Sequence, residues 1–198
     1  MIDYSTYEDT ELLVLLKEEG NTCTLAFEEI WYRYSNMLMY YCSLNSNTIE
    51  DAEDLLQNTW IRFYEVAKEE KKIESIKLYL FRIAYNLYLK KIETEKVHLV
   101  NLDQFRLDKF IDEQNNFLKV FENKEILSQF NLALNYLDFE YKECLILHWI
   151  EGFTINEIAQ ICNETYDCIR MRCSRGMQKI LTVLEPNFKN ITGRDRNE

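Results

Sequence analysis

Apolar residues recur along this chain every three or four positions, and the rhythm breaks only at a few polar stretches. Residues 5–19 predict a short helix with Leu12, Leu15 and Leu16 inward, stopped at Gly20-Asn21. Thr22–Leu44 predicts a long helix whose buried face is Ala26, Phe27, Ile30, Trp31, Tyr34, Leu38 and Tyr41. After a polar turn at Asn45–Thr48, Ile49–Lys68 repeats the period with Ala52, Leu55, Leu56, Thr59, Trp60 and Phe63. The other face of that helix carries Asp51, Glu53, Asp54, Gln57, Asn58 and Arg62, and its acidic first turn suits the helix dipole. A charged connection, Lys68–Glu74, leads to a helix capped by Ser75 that buries Leu80, Ile83, Ala84 and Leu87. Periodicity lapses over 97–121, which predicts a linker. Helices resume at Glu122–Tyr136, with Ile126, Leu127, Phe130, Leu134 and Leu137 inward, and at Glu140–Glu151, ended by Gly152.

The stretch Thr154–Leu181 has the layout of a helix-turn-helix. Ile155, Ile158, Ala159 and Ile161 give a short first helix one apolar face. Asn163 suits a left-handed turn position, and Thr165 can cap the helix that follows. In that second helix Ile169, Cys173, Met177 and Ile180 form the inner stripe, with Arg170, Arg175 and Lys179 outside it and Arg172 at its margin. Such a unit places basic side chains in a DNA major groove; an ordinary helical hairpin with a solvated basic face has the same pattern. Pro186 predicts that the helix has stopped before it.

Composition removes other fold classes. Only four glycines and one proline occur, no alternating Val/Thr-rich run is present, and 47% of residues are hydrophobic, so the expected fold class is all-α. No signal peptide and no apolar run near the ~18 residues of a membrane span are legible, which predicts a soluble, cytoplasmic protein. The six cysteines contain no C-x-x-C pair and read as buried free thiols. His98 and His148 have no partner at ligand spacing, so no metal site or cofactor is expected. No nucleophile–base set or phosphate loop suggests an enzyme.

The net charge of −11 looks wrong for a DNA binder, but the charges are segregated. Residues 1–66 carry net −10, whereas 67–97 carry +3 and 169–198 carry +4. Screening over ~8–10 Å lets these islands act locally. The first island presents Lys77, Arg82, Asn86, Lys90 and Lys91 with Tyr79, Phe81, Tyr85 and Tyr88 interleaved. That mixture serves base stacking and phosphate contact, or equally amphipathic packing.

Four stretches, in order, resemble the extracytoplasmic-function sigma factors of the sigma-70 family, small two-domain specificity subunits of bacterial RNA polymerase. TLAFEEIWYRY matches an early helix, and EDAEDLLQNTWIRFYE the signature helix that binds the polymerase clamp. SIKLYLFRIAYNLYLKK resembles the helix that meets the downstream promoter element. INEIAQICNETYDCIRMRCSRGMQKIL resembles the helix-turn-helix that reads the upstream element. The similarity covers roughly residues 5–184.

The resemblance implies two small helical domains, 1–96 and 122–184, joined by a linker at 97–121 and followed by a polar tail at 185–198. It assigns core polymerase binding to Asp51, Asp54, Leu55, Gln57 and Asn58. Downstream DNA falls to Lys71, Lys72, Lys77, Tyr79, Arg82, Asn86 and Lys90. The charged connection Lys68–Glu74 occupies the place where the family captures a flipped-out base. Upstream DNA falls to Thr165, Asp167, Arg170, Met171, Ser174 and Arg175. Arg172 either contacts DNA or turns inward to pair with Glu157. Expected partners are core RNA polymerase, through its clamp and flap regions, and promoter DNA, with an anti-sigma factor as a further candidate.

The chain departs from the family at Tyr79, usually Trp, at Lys90, commonly acidic, and at Glu93, commonly Arg. It departs again at Asn163, usually Gly, and Glu164, usually apolar. Two other functions fit parts of the pattern. A stand-alone helix-turn-helix regulator would leave the acidic Gln57 helix unexplained. A polymerase-binding antagonist would suit the −11 charge but not the placed arginines.

Overall fold

The computed structural model describes residues 4–69, 72–95 and 124–192, which divide between two compact units, Met1–Asp112 and Glu113–Glu198. Every regular element among the described residues is helical.

The first unit is built from α1 (Asp9–Leu15), α2 (Asn21–Leu44), α3 (Ile49–Lys68) and α4 (Ile76–Glu95). The helix expected over 5–19 is shorter, because residues Tyr4–Thr6 form a 3-10 turn that Arg33 of α2 holds. The Arg33 guanidinium donates to the carbonyls of Tyr4, Ser5 and Tyr7 at 3.3, 3.1 and 2.8 Å and pairs with Asp9 and Glu29. Burial works against that charge, but the two carboxylates outweigh it and raise the Arg33 pKa. The backbone N–H of Glu8 donates to Glu11 at 2.7 Å, so α1 begins only beyond it.

Leu12, Leu16, Ile30, Leu38, Tyr41, Phe63, Ile76, Leu80 and Phe81 fill the core. Each such apolar side chain contributes about 1.5–3 kcal/mol relative to exposure. Thr48 starts α3 by accepting from the Asp51 N–H at 3.1 Å. Ser75 starts α4 in the same way, accepting from the Leu78 N–H at 3.3 Å. Trp31 does not lie in the α2 core as expected; it sits at the rim, 4.8 Å from the buried Trp60 ring.

The second unit comprises α5 (Lys124–Leu134), α6 (Phe139–Leu145), α7 (Ile155–Cys162) and α8 (Tyr166–Thr192). The single helix expected over 140–151 widens after Leu145 into a π turn, Ile146–Ile150, closed by Glu151 N–H donating to Ile146 O at 3.0 Å. Gly152, at φ 75°, then lets the chain leave. Helix α8 passes through Pro186 rather than ending before it, since a proline removes only one backbone donor from a helix already propagated over several turns.

Helices α6 and α8 approach closely at Gly176. A Cβ there would stand 3.2 Å from the Tyr141 Cβ and 3.2 Å from the Leu145 side chain. The approach seats Leu145, Ile146, Ile150, Ile158, Ile161, Ile169 and Ile180 in one core.

Candidate nucleic-acid interface

Three exposed surfaces hold the predicted residues, two in the first unit and one in the second.

The first is the outer side of α3. Asp54, Gln57 and Asn58 are exposed and share one helix face, where the Asn58 amide donates to Asp54 O at 2.8 Å. Leu55 is not on that surface: it is 6% exposed and belongs to the core, one step around the helix. Asp51 is also partly withdrawn, hydrogen-bonded to Thr48 and ion-paired with Lys91 of α4. Lys91, with Thr48 behind it, holds the Asp51 carboxyl below the usual carboxylate range. Lys91, expected among the free basic residues, is therefore a tie between α3 and α4. Sequence reasoning missed Ile61, which is 59% exposed and continues the Asp54–Gln57–Asn58 face by one turn. Its signal was available: an isoleucine outside the apolar stripe of an otherwise polar face.

The second surface is on α4. Tyr79, Arg82, Asn86 and Lys90 follow one another at spacings of three and four along one side; Asn86 and Lys90 are exposed, and Tyr79 and Arg82 are half-buried. Arg82 lies over the Tyr79 ring at 4.7 Å, a contact of about 0.5–1 kcal/mol that orients the guanidinium. Lys77 is half-buried beside this row, and Lys72 is exposed, 3.2 Å from Glu74. Lys71 lies outside the described residues. Phe81, Tyr85 and Tyr88 are buried in the core, so of the four interleaved aromatics only Tyr79 reaches the surface. They are inside because α4 packs against both α2 and α3, which leaves a narrow outer side.

The third surface is the helix-turn-helix. Thr154 accepts from the Glu157 N–H at 3.3 Å while the Glu157 carboxylate takes the Thr154 N–H at 2.8 Å, a reciprocal cap that starts α7. Asn163 adopts the left-handed conformation, φ 53° and ψ 46°, at the turn where the family usually has Gly. Thr165 then caps α8, accepting from the Cys168 N–H at 3.3 Å. Thr165, Asp167, Arg170, Met171, Ser174 and Arg175 are all exposed on α8 or at its start. Arg170 is braced by Asp167 at 3.6 Å. Tyr166, unflagged in the sequence, is also exposed at the first turn.

Arg172 turns inward, but not onto Glu157, whose carboxylate is occupied by the α7 cap. It is 18% exposed and lies 3.1 Å from Glu164 in the turn and 3.1 Å from Glu140 of α6. Burial opposes its charge; Glu140 and Glu164 outweigh burial and keep its pKa above the ordinary value. Glu164, placed where the family has an apolar residue, thus has a structural partner. Lys179 is not free either: it donates to Asp138 at 2.7 Å and lies over the Tyr141 ring. The exposed side of α8 accordingly presents two arginines, 170 and 175, flanking Met171 and Ser174. Such a set can pair with guanine edges or phosphates.

All six cysteines are free thiols, and five are buried. Among the described residues no group of three potential ligands is arranged for a metal, and no helix is long and apolar enough to cross a membrane.

Residues 31–97 match the family model of sigma-70 region 2. The chain is similar to the ECF RNA polymerase sigma factor SigE of Mycolicibacterium smegmatis, 26% identical over 140 residues. That alignment covers 70% of this chain and 54% of the relative, so the chain spans about half of that protein's length. It is also similar to the ECF RNA polymerase sigma factor SigM of Bacillus subtilis, 24% identical over 172 residues, covering 87% and 91% of the two chains. Among solved structures, the fold is similar to that of the sigma factor RpoE in complex with the anti-sigma factor NepR from Bartonella quintana. The TM-score is 0.64 at 21% identity, over 80% of this chain and 96% of that one.

Proposed function

We propose that the chain is an extracytoplasmic-function sigma factor of the sigma-70 family and that it directs core RNA polymerase to specific promoters and helps to open them for transcription initiation. The observation that carries this reading is the coexistence, in one chain, of a sigma-70 region 2 match over 31–97 with a capped helix-turn-helix whose arginines face outward. A stand-alone regulator needs only the second.

The division of labour follows the surfaces. Asp54, Gln57, Asn58 and Ile61 on α3 meet the polymerase clamp, and Tyr79, Arg82, Asn86 and Lys90 on α4 meet the melted downstream element. Arg170, Met171, Ser174 and Arg175 read the upstream element in the major groove, with the second domain, 122–184, against the flap region. The protein makes and breaks no bond. It supplies binding free energy that places the polymerase and offsets unstacking of promoter bases. The site of action is the cytoplasm, with core polymerase and promoter DNA as partners. The RpoE relative is bound to an anti-sigma factor, which supports a protein of that kind as a further partner here.

The test is binding of the purified chain to core polymerase, followed by run-off transcription from host DNA. Core binding with new, discrete transcripts is expected. Tight DNA binding without core binding would replace this reading by a free regulator, and core binding without transcripts by an antagonist.

A further inference from the structure

The exposed row of α8 begins one turn before its first arginine. Tyr166, Arg170 and Ser174 follow at spacings of four on one side of the helix, and all three are exposed. Tyr166 is 47% exposed, and among the described residues its ring and hydroxyl have no hydrogen-bond, ion-pair or ring partner. Ile169 and Cys173, on the inner side of the same turns, are buried. Tyr166 holds the first helical position, directly after the Thr165 cap. In a helix-turn-helix, the residues at that end of the second helix contact base edges.

We propose that Tyr166 is a specificity-determining residue whose ring packs on the 5-methyl group of a thymine in the upstream promoter element.

The partner follows from chemistry and charge. Thymine alone among the bases carries a methyl group into the major groove, and apolar side chains recognise it there. A backbone phosphate is the other partner open to a tyrosine, through its hydroxyl. Asp167 argues against that choice. It is the next residue, its side chain is 84% exposed, and its carboxylate repels a phosphate while accepting amino groups of bases. Asp167 also lies 3.6 Å from Arg170, which ties the start of the row to its first arginine.

Helix geometry places the thymine. At about 1.5 Å of rise per residue, Tyr166 precedes Arg170 by about 6 Å along the axis. Successive bases on a strand are about 3.4 Å apart, so the thymine falls about two base pairs from the one that Arg170 contacts. This inference rests on the reading of α8 as the helix that enters the upstream major groove.

The experiment selects binding sites from random duplexes twice, with the full chain alone and with the chain on core polymerase. Each thymine of the selected upstream element is then replaced by deoxyuridine, which pairs in the same way but lacks the methyl group. Affinities are compared for the parent, Tyr166→Phe and Tyr166→Ala. In the parent and in Tyr166→Phe, one replacement should weaken binding about fourfold, the loss of one buried methyl contact. That thymine should lie about two base pairs from the position where Arg170→Ala relaxes sequence preference. Tyr166→Ala should bind the thymine site at least fourfold more weakly and be indifferent to the same replacement. Its melting temperature should match the parent's, since the side chain is exposed. Should that variant fold poorly, the parent decides alone: indifference to every replacement overturns the proposal. Unchanged affinity in Tyr166→Ala, or a thymine dependence that survives in it, would also overturn it. So would a Tyr166→Phe protein as weak as Tyr166→Ala, which would give the hydroxyl a phosphate partner. Sites selected by the chain alone and not with core polymerase would sink the promoter-subunit reading, while the thymine comparison still decides the role of Tyr166. No selected site under either condition would overturn both.

Discussion

Arg170 and Arg172 are two residues apart on one helix, yet their surroundings predict opposite phenotypes on alanine substitution. Arg172 loses two carboxylate contacts at 3.1 Å. Glu140 is 61% exposed, so its arm is worth about 0.5 kcal/mol; Glu164 is 37% exposed, and its arm is worth about 1 kcal/mol. Burial of the arginine stem adds roughly 0.5 kcal/mol, so Arg172→Ala should destabilise the second unit by about 2 kcal/mol. At about 4–8 °C per kcal/mol for a domain of this size, its melting temperature should fall by about 10 °C. Arg170 is exposed beside an exposed Asp167, and Arg170→Ala should stay within about 0.5 kcal/mol of the parent. DNA affinity should reverse the order. Loss of a base or phosphate contact at Arg170 costs about 1–3 kcal/mol, about fivefold to more than a hundredfold in promoter binding, whereas Arg172→Ala should change affinity less than threefold below its melting range. Calorimetry of the full chain and a mobility-shift titration on a mapped promoter measure both. A stable Arg172→Ala protein that no longer binds promoter, beside an Arg170→Ala protein that binds normally, would refute the assignment.

Three other outcomes test the remaining surfaces. Asp54→Ala with Gln57→Ala should weaken core polymerase binding at least tenfold in pull-down while leaving the melting temperature unchanged; Leu55→Ala should instead lower stability by about 2–5 kcal/mol, because it empties a core position. Asn163→Ala should cost about 1 kcal/mol in urea unfolding and Asn163→Gly almost nothing, since Asn and Gly adopt the left-handed conformation more readily than other residues. Lys91 lowers the Asp51 pKa below its ordinary value near 3.9, so this pair's stabilisation is full above about pH 5 and lost as pH falls through the folded-state pKa. Both groups are about one-third exposed, which keeps the effect below about 1 kcal/mol. Lys91→Met should remove that part of the acid sensitivity in unfolding curves taken between about pH 2 and 6.

Local rules were enough for much of this molecule. Apolar spacing located α2 and α3 within a residue of their observed ends, and cap chemistry identified Ser75, Asn163 and Thr165. Contacts between distant positions were not legible. Arg33 reaches back more than twenty residues to hold the first turn, and no local pattern announces it. The π turn after Leu145 changes hydrogen-bond register without disturbing the apolar rhythm that periodicity detects. The aromatics of α4 were ambiguous for a related reason. A helix flanked by two others buries most of its circumference, so Phe81, Tyr85 and Tyr88 fall inside as a second stripe beside Leu80, Ile83 and Ala84. At the candidate site, exposure was read correctly for Asp54, Gln57, Asn58, Arg170 and Arg175. Leu55, read in the apolar stripe, is too deep for the core-binding role that the resemblance gave it, and the ion pairs of Lys91 and Lys179 were not legible, because core depth and ion-pair partners depend on neighbouring helices.

The inward turn of Arg172 separates two alphabets on a single helix. Positions 172, 173 and 176 are written in the grammar of packing: an ion-paired guanidinium, a small sulfur and the absence of a side chain. Positions 170, 171, 174 and 175 are exposed and take no part in that packing. A library randomised at the second set and silent at the first would sample new target sequences without spending variants on misfolded protein. Orthogonal promoter–subunit pairs for engineered gene circuits could be selected from only four codons of this chain.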